Sequence, residues 1–494
     1  MYKKSNQPGQ MNLFEDYKVP FSDFDENNRW VKLSKEIPWG AIEREYVLLF
    51  SSKRGAPATN VRVALGALLL QKKLKYTDEE LVEQVKENPY LQYFLGAKEY
   101  DSQTAMFGAS TLVDFRKRMV KDSDFLIKAN DLIIAHATRK EEAVEEQEED
   151  DDDTPDSGMT ATGDNQLGTD MSNNQSAKVP QNKGKLVLDA TCVPADITYP
   201  QDLKLLNTCR ETLEAMVDEF HIKGEDKPRT YRQKARKQYL SVIKQKVKGG
   251  KKMRMAIRQQ LEHVRRDISY VENYISSGRE LSTRMLALFL TIQLIYSQQK
   301  EMYDKKKSRV DNRIVSLFQP HVRPIVRGKA KANVEFGAKV EISVVDGYVR
   351  MEKLSWDAYH ESATLQAAVE NYYVRYGYYP ECVLVDQAYC TKDNRRYCLK
   401  HGIRISAKPL GRPKKSQTVD RKIVYQDSCD RNIVEGKFGE VKTTYGLERL
   451  STRLKETSEA EIQVSLMIMN LSRLMRVKFL SLIQRFLRIA LLSS

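Results

Sequence analysis

The chain has 494 residues, of which 41% are hydrophobic, and a formal net charge of +14. This length predicts roughly two to four domains with a sizeable core, and the hydrophobic content excludes a largely disordered protein. A basic excess of this size favours a polyanionic partner, with nucleic acid as the first candidate. Residues 141–156 hold eleven carboxylates and no Lys or Arg, so the chain without this block carries +25.

The cysteine and histidine patterns argue against a disulfide framework or a zinc finger. Six cysteines and six histidines show neither CxxC nor His-x3–5-His spacing, which is typical of reduced thiols in a cytosolic protein. No signal-peptide pattern opens the chain. The apolar stretch 479–492 contains Arg485 and Arg488, so it is too short and too charged to span a bilayer.

The N-terminal part is predicted to be helical. Residues 1–25 are polar and indicate a flexible arm, and residues 26–139 indicate an all-α domain. Thr77 to Glu80 form a capping-box pattern that opens a helix ending at Asn88, and a further helix is expected from Thr111. Short helices with tight turns fit a DNA-binding helix-turn-helix as well as plain bundle packing. We expect DNA binding here, although no recognition helix can be chosen.

Residues 140–184 are predicted to be an acidic, disordered linker, because the acidic block is followed by Gly, Ser, Asn, Thr and Gln. Order is expected to resume with a buried strand whose apolar run is interrupted by Asp189. A carboxylate in such a strand is costly unless it is paired or binds a metal; the alternative is an Asp at a strand end that faces water. Further elements are a hairpin turning at Asp346 and Gly347, a strand ending at Asp386, and a last strand over 403–407.

A basic helical insertion is predicted at about residues 204–312. Residues 227–266 contain fifteen Lys or Arg and one acidic residue, Glu262. Such density favours sequence-independent contact with the DNA backbone over a solvated helix face. The expected DNA contacts are Arg232, Lys234, Arg236, Lys237, Arg323, Arg327 and Lys329. Gly411 to Lys415 resembles a minor-groove hook, but a flexible basic loop is the preferred interpretation.

The segment from Asp430 to Lys442 is predicted to be a helix with an acidic group between two cations. Arg431, Glu435 and Lys442 fall on one face at 100° per residue. Neighbouring positive charge keeps Glu435 ionised, and an ionised carboxylate can bind Mg²⁺. The alternative is a solvated face with i,i+4 ion pairs. The chain is expected to end in an amphipathic helix, or a pair of helices, over residues 462–492, with residues 476–494 as a separate C-terminal helix.

The order of these elements predicts an α/β, RNase H-like domain, in which a mixed central sheet is flanked by helices. In that layout Asp189, Asp386 and Glu435 meet at the centre of the sheet. Three carboxylates of this kind can hold two Mg²⁺ ions about 3.5–4 Å apart, with Mn²⁺ as a substitute, and can support in-line displacement at a phosphodiester.

Four stretches resemble the DDE transposases of bacterial insertion sequences, in the insertion sequence 5 superfamily and most closely its 1182 branch. These stretches are Leu188–Thr191 with Ala195–Asp202, Pro320–Lys329 with Glu335–Lys339, Asp386–Tyr389, and Arg431–Lys442 with Tyr445–Leu447. The resemblance covers about residues 30–135 and 185–475, and it implies that residues 185–475 form the catalytic domain.

The resemblance implies that Asp189, Asp386 and Glu435 are the catalytic, metal-binding triad. Arg431 and Lys442 would be the basic residues of the glutamate signature, with Lys437 as a further DNA contact. Relatives often have a tyrosine three residues before the arginine, where this chain has Ser428. Two other carboxylates compete for places in the triad: Asp196 for the first and, more weakly, Glu440 for the third.

The implied function is cleavage of the terminal inverted repeats of an insertion sequence and their joining to target DNA, by Mg²⁺-dependent transesterification. The implied partner is double-stranded DNA, bound by a homodimer, in a prokaryotic cytoplasm and associated with the nucleoid. Two alternatives stay open. One is an inactive or domesticated copy that only binds DNA, and the other is an RNase H-like nuclease without strand transfer.

Overall fold

The computed structural model of the chain describes residues 24–50, 57–150, 181–246, 249–326, 334–406 and 421–492, with side chains for all of these except 142–150 and 481–492. Most of the predicted arm, residues 151–180 of the predicted linker and the segment from Gly411 to Lys415 lie outside this description.

The N-terminal part is helical, as predicted. Its helices are α1 (Arg29–Glu36), α2 (Trp39–Val47), α3 (Val61–Leu74), α4 (Asp78–Glu87), α5 (Pro89–Phe94), α6 (Ala109–Val120) and α7 (Phe125–Asp150). The capping box is confirmed: the Thr77 hydroxyl accepts from the Glu80 backbone N–H, and the Glu80 carboxylate accepts from the Thr77 N–H. The prediction that disorder begins at residue 140 is wrong, because α7 continues to Asp150. Residues 140–150 are rich in Glu, a good helix former, and contain no Pro or Gly to stop the helix.

The described part of the chain forms one mixed sheet of six strands. They are β1 (Lys185–Pro194), β2 (Arg323–Val326), β3 (Val334–Val345), β4 (Tyr348–Ser355), β5 (Cys382–Leu384) and β6 (Arg404–Ile405). The order is β2-β3-β1-β5-β6, with β4 also paired to β3. β1 is antiparallel to β3 and parallel to β5, and β5 is parallel to β6.

Two glycines allow the strands to meet and turn as they do. A Cβ atom on Gly337 would lie 2.0 Å from the Val193 carbonyl oxygen, so β1 and β3 approach too closely there for any side chain. The predicted hairpin between β3 and β4 is confirmed. Asp346 and Gly347 both adopt positive φ, of 49° and 74°, as a two-residue hairpin turn requires.

Asparagine side chains cover the outer edge of β4. The Asn470 side chain accepts from the Val349 N–H (2.9 Å) and donates to the Val349 carbonyl (2.7 Å). The Asn130 side chain, on α7, donates to the same carbonyl at 3.1 Å. Pairing of exposed strand groups in this way blocks edge-to-edge association. It also fixes the N-terminal helices against the sheet.

The predicted insertion consists of four helices: α8 (Asp202–Phe220), α9 (Arg232–Ile243), α10 (Gly250–Ser276) and α11 (Thr283–Lys305). Residues of α8, α10 and α11 form a hydrophobic core that is separate from that of the sheet. Helices α12 (Leu365–Tyr376) and α13 (Lys392–Lys400) contribute to another cluster on one face of the sheet.

The last two helices are α14 (Arg421–Thr443) and α15 (Lys455–Leu492). The helix predicted over residues 462–492 is confirmed as one continuous helix, so no break marks the predicted start of a separate C-terminal helix at residue 476. Buried residues of α15 belong to one core with β1, β3, α14 and the N-terminal helices. The first half of α15 therefore packs between the N-terminal helices and the sheet, and the second half continues the same helix.

A buried ion pair joins the N-terminal helices to α15. The Glu461 side chain is 3% exposed and lies 2.6 Å from Lys72 Nζ on α3. The Glu461 carboxylate also accepts hydrogen bonds from the backbone N–H groups of Ser451 and Thr452. Each of its oxygens therefore has several donors, as a buried charge requires.

Glu461→Gln is expected to lower the free energy of unfolding by about 3–5 kcal/mol, because it leaves the Lys72 charge buried without a counter-charge. Denaturant unfolding followed by circular dichroism measures this loss. Glu301→Gln is the matched control, because Glu301 is exposed and pairs with exposed Lys305 on the same helix; its expected cost is about 0–1 kcal/mol. Equal, small losses in the two variants would contradict this packing.

Candidate functional site

Asp189 lies in the middle of β1, on the face of the sheet that α14 covers. Side chains alternate along a strand, so Asp189 shares its face with Val187 and Val193. These two valines belong to the same core cluster as Val434 and Phe438 of α14. The carboxylate is only partly buried, and its Oδ1 accepts the Ala190 N–H at 2.8 Å.

Asp386 comes level with Asp189 across the sheet. In the parallel register Val187 lies opposite Leu384, and two further residues along both chains bring Asp386 to Asp189. Strand β5 ends at Leu384, and Asp386 caps the short 3₁₀ turn Gln387–Tyr389, its Oδ1 accepting the Gln387 N–H at 2.6 Å. The side chain is 60% exposed, so this acid faces solvent at the end of its strand.

Helix α14 carries Glu435 and is held on the sheet by polar contacts along its length. Asp427 forms a bidentate pair with Arg404 of β6, at 2.5 and 2.8 Å. Asp430 accepts from Lys185 at the start of β1, at 2.7 Å. These contacts, together with the buried apolar residues of α14, fix the rotation of the helix and leave Glu435 exposed.

The two cations that flank Glu435 both contact the other acidic segments. Arg431 Nη1 lies 3.4 Å from Asp386 Oδ1. Lys442 Nζ donates to the Thr191 hydroxyl at 2.9 Å, two residues beyond Asp189 on the same face of β1. The segment from Asp430 to Lys442 therefore contacts Asp386 directly and contacts β1 two residues from Asp189.

The pKa of Asp189 is raised to about 6, first by burial and then by the negative charges of Glu361, Asp386 and Glu435. The backbone hydrogen bond from Ala190 opposes this shift. Asp386 and Glu435 are therefore both within electrostatic reach of Asp189. Such mutual repulsion is what a bound cation relieves.

In the described residues, however, no three carboxylate, imidazole or thiolate groups are close enough together to hold a metal ion. Asp386 is paired with Arg431 instead. The oxygen donors of Asp189, Asp386 and Glu435 are the type that Mg²⁺ prefers. The three carboxylates therefore have the chemistry that a hard cation requires. Their side chains do not, however, converge on one point as the predicted metal-binding triad requires.

Two family profiles match the chain, one at each end. A profile described as a transposase DDE domain matches residues 383–472, and one described as a transposase domain (DUF772) matches residues 20–118. The chain is therefore similar to transposase domains in two separate segments. The first match includes Asp386 and Glu435, whereas Asp189 lies outside both. Neither match bears on the insertion sequence 5 assignment, which stays a prediction.

A protein from Rhizobium meliloti described as an uncharacterized protein, ORF8 in the nfe locus, is 35% identical to the chain over 89 residues. This similarity covers 18% of the chain and 42% of that protein, so the chain spans less than half of the relative's length. No solved structure matches the chain. Among the described residues, no helix is long and apolar enough to cross a membrane.

The predicted DNA contacts of this transposase-like chain differ in their surroundings. Lys234, Arg236 and Lys237 are exposed on α9. Arg232 instead forms a bidentate pair with Asp218, at 2.9 and 2.8 Å. Lys437 pairs with Glu440 at 3.3 Å. Arg323 donates to the Val322 carbonyl and pairs with Asp357. Arg327 and Lys329 lie outside the described residues.

The two competing acids are engaged elsewhere. Asp196 lies beyond the end of β1 and pairs with Arg449 and Arg453, at 3.5 and 3.7 Å. Glu440 pairs with Arg476 of α15 at 2.7 Å. Both competing acids therefore already have positive partners, whereas the charges acting most strongly on Asp189 are those of other acids.

Sequence reasoning missed a buried carboxylate that positions the segment after Asp386. Glu341 of β3 is fully buried, and its Oε1 accepts from the Tyr389 hydroxyl (2.8 Å) and the Thr364 hydroxyl (2.6 Å). Burial raises the pKa of Glu341. The available signal was a carboxylate within an apolar strand, the same signal that singled out Asp189.

Asp189→Asn is expected to stabilise the chain in EDTA at pH 7.5. An acid whose pKa rises from 3.8 to about 6 on folding favours the folded state most below about pH 4, and this benefit is lost as pH rises through about 6. The resulting penalty at neutral pH is up to about 3 kcal/mol. Thermal unfolding at pH 4 and pH 7.5 measures it.

Mg²⁺ in the millimolar range is expected to raise the melting temperature of the wild type but not that of Asp189→Asn, because the ion binds the folded state only. Asp393→Asn is the control, because Asp393 is 79% exposed on α13 and should keep the wild-type response. Equal Mg²⁺ stabilisation of Asp189→Asn and wild type would count against a cation site at Asp189.

Proposed function

We propose that this chain is an insertion-sequence transposase, which binds terminal inverted repeats and carries out cleavage and strand transfer at phosphodiester bonds. The proposal is supported by the contacts of α14, where Arg431 pairs with Asp386 and Lys442 donates to Thr191, two residues from Asp189. The negative charges of Asp386 and Glu435 also raise the pKa of Asp189. The two transposase family matches support it independently.

The proposed catalytic domain is RNase H-like. Support comes from the strand order. On one side of β1 lies antiparallel β3, which forms a hairpin with β4, and on the other side lie β5 and β6, both parallel to β1. In this arrangement an acid on β1 and an acid after β5 lie side by side, and a helix crossing that face supplies the third. Residues 185–475 with the α8–α11 insertion remain our proposed extent of this domain.

Asp189, Asp386 and Glu435 would hold the divalent cations, Mg²⁺ or Mn²⁺. When bound, such ions polarise the phosphodiester and activate the attacking oxygen. Arg431 and Lys442 would then have different roles. Arg431, which now neutralises Asp386, would turn to a DNA phosphate once that carboxylate has another positive partner. Lys442, fixed on Thr191, would hold α14 and Glu435 at a constant distance from β1.

The insertion is proposed to hold DNA outside the catalytic site. The exposed cations of α9 and the basic start of α10 present positive charge with few acidic neighbours. Contacts with phosphates from such a surface release counter-ions, so this part of the affinity should depend steeply on salt and little on sequence. The N-terminal helices are proposed to read the terminal repeat. The proposed setting is the nucleoid of a prokaryotic cytoplasm.

Cleavage of a DNA fragment carrying one end of the element tests the proposal. Wild type is expected to cut in Mg²⁺ and not in EDTA, and Asp386→Asn to lose more than the roughly 10–100-fold typical of changes around a metal site, while still binding DNA. Asp393→Asn is the control. Binding without cleavage by wild type in Mg²⁺ and Mn²⁺ would indicate a DNA-binding copy, and cleavage without joined products would indicate a nuclease.

We propose that two copies act together on DNA through α11. Leu286, Leu290 and Leu294 lie at successive four-residue intervals and are 43%, 52% and 59% exposed. No charged residue lies between residues 285 and 299, so an antiparallel second copy of the stripe would match it under two-fold symmetry. The stripe from Leu286 to Leu294 is roughly 12 Å long, and three leucine side chains are a small surface compared with the roughly 800 Å² per partner of a stable interface. DNA must therefore contribute to holding the dimer.

Leu290→Glu is expected to leave monomeric complexes on terminal-repeat DNA, because two buried carboxylates would face each other at the two-fold axis. Mass photometry of the complexes distinguishes one copy from two. Leu399→Glu is the control, since Leu399 is 81% exposed on α13 and lies outside the stripe. Dimeric complexes of the Leu290 variant would exclude this surface.

A further inference from the structure

A cavity lies beyond the end of β1, at the segment from Asp196 to Gln201 that the triad leaves without a role. Its volume is about 230 Å³, and its lining comprises residues 196–201, the first turns of α8, residues 315–319 and Arg453. This is smaller than the roughly 300–1,000 Å³ of sites for drug-sized ligands. A site of this size suits one planar ring system.

Two exposed aromatic side chains line this cavity. Tyr199 is 72% exposed and Phe318 is 58% exposed. The Tyr199 ring contacts Phe336 of β3 at a perpendicular angle, with 5.7 Å between centroids, so its orientation is fixed. Large aromatic rings held in solvent at a cavity provide surfaces on which bases stack.

The surroundings of the cavity are positive. Arg449 and Arg453 share the single carboxylate of Asp196, at 3.5 and 3.7 Å, and their side chains stay 69% and 72% exposed. Lys204 Nζ donates to the neutral Thr198 hydroxyl at 3.1 Å. Three cations therefore face one carboxylate, which favours the approach of a phosphate backbone.

A buried acceptor in the lining has no partner. Gln319 is only 4% exposed, and its side-chain Nε2 donates to the Asp196 carbonyl at 2.8 Å. Its Oε1 accepts no hydrogen bond within the part of the chain that the structure describes. An unpaired buried amide oxygen is costly. An N–H group on the edge of a base would satisfy it once the amide turns toward the cavity, since the oxygen itself has almost no exposed surface.

We propose that this cavity takes one unpaired nucleotide of the DNA strand that passes the three carboxylates. The inference rests on the proposed function. The ring stacks on Tyr199 and Phe318, its edge donates to Gln319, and its phosphates lie against Arg449, Arg453 and Lys204. From Asp189 to Pro194 the strand advances by roughly 17 Å. The cavity begins beyond Pro194, so at about 3.4 Å per nucleotide the unpaired position lies at least about five nucleotides from the scissile phosphate.

The test uses duplexes carrying one end of the element, with a single mismatch moved through positions one to ten from the cleavage site. Extruding a paired base costs binding energy, and a mismatch removes part of that cost. Wild type and Tyr199→Phe are expected to bind one mismatched duplex, at about position five or beyond it, at least about 10-fold more tightly than the paired duplex. An abasic site at that position should remove the gain, because no base is left to stack.

The Tyr199→Ala, Phe318→Ala double variant is expected to lose this preference, so that the ratio of its affinities for the mismatched and the fully paired duplex falls by roughly 5–100-fold relative to wild type. Tyr373→Ala, which removes an exposed aromatic from α12, is the control. No preferred position in wild type, or an unchanged preference in the double variant, overturns the inference. Cleavage of the paired duplex by wild type in Mg²⁺ is measured alongside, so that failure of the proposed function is recognised separately.

Discussion

The packing of α14 across β1 determines the rest of the candidate site. Its buried apolar residues set the helix on the core, and the Asp427 and Asp430 ion pairs fix its position along the sheet. Glu435 is thereby brought within electrostatic reach of an acid that lies far away in the sequence. Without this packing, Asp189 would be an isolated carboxylate in a half-buried strand.

The charges around this contact are balanced only in part. Asp386 has a positive partner in Arg431, whereas Asp189 is surrounded by other acids and keeps a raised pKa. Folded proteins tolerate such an imbalance where it serves binding. A cation bound at the proposed site would relieve the local destabilisation at Asp189. The network through Glu341 and Tyr389 on the other face of the sheet holds the turn that follows Asp386.

Features that depend on neighbouring residues could be predicted from the sequence. The capping box at Thr77, the hairpin at Asp346 and Gly347, and the strand around Asp189 follow from local hydrogen bonding, positive φ and apolar pattern. Patterns of this kind also indicated the helix that carries Glu435. Propensity further explains why the acidic residues after 139 continue a helix rather than end it.

Features that depend on tertiary packing could not be predicted. The Lys72–Glu461 pair joins residues nearly four hundred positions apart, and nothing in either segment indicates its partner. The same holds for the hydrogen bond from Lys442 to Thr191 and for the meeting of residues 315–319 with the loop after β1. Sequence resemblance suggested the candidate site residues. Only the fold shows that Arg431 pairs with Asp386, one of the carboxylates that a cation would need.

Anomalous diffraction from crystals grown with Mn²⁺ tests the central claim most directly, because it locates the ion without relying on activity. The account predicts anomalous peaks bonded to Asp189 and Asp386, with Glu435 in the same group and Arg431 no longer paired with Asp386. Peaks at other carboxylates, or none beside Asp189 at saturating Mn²⁺, would contradict it.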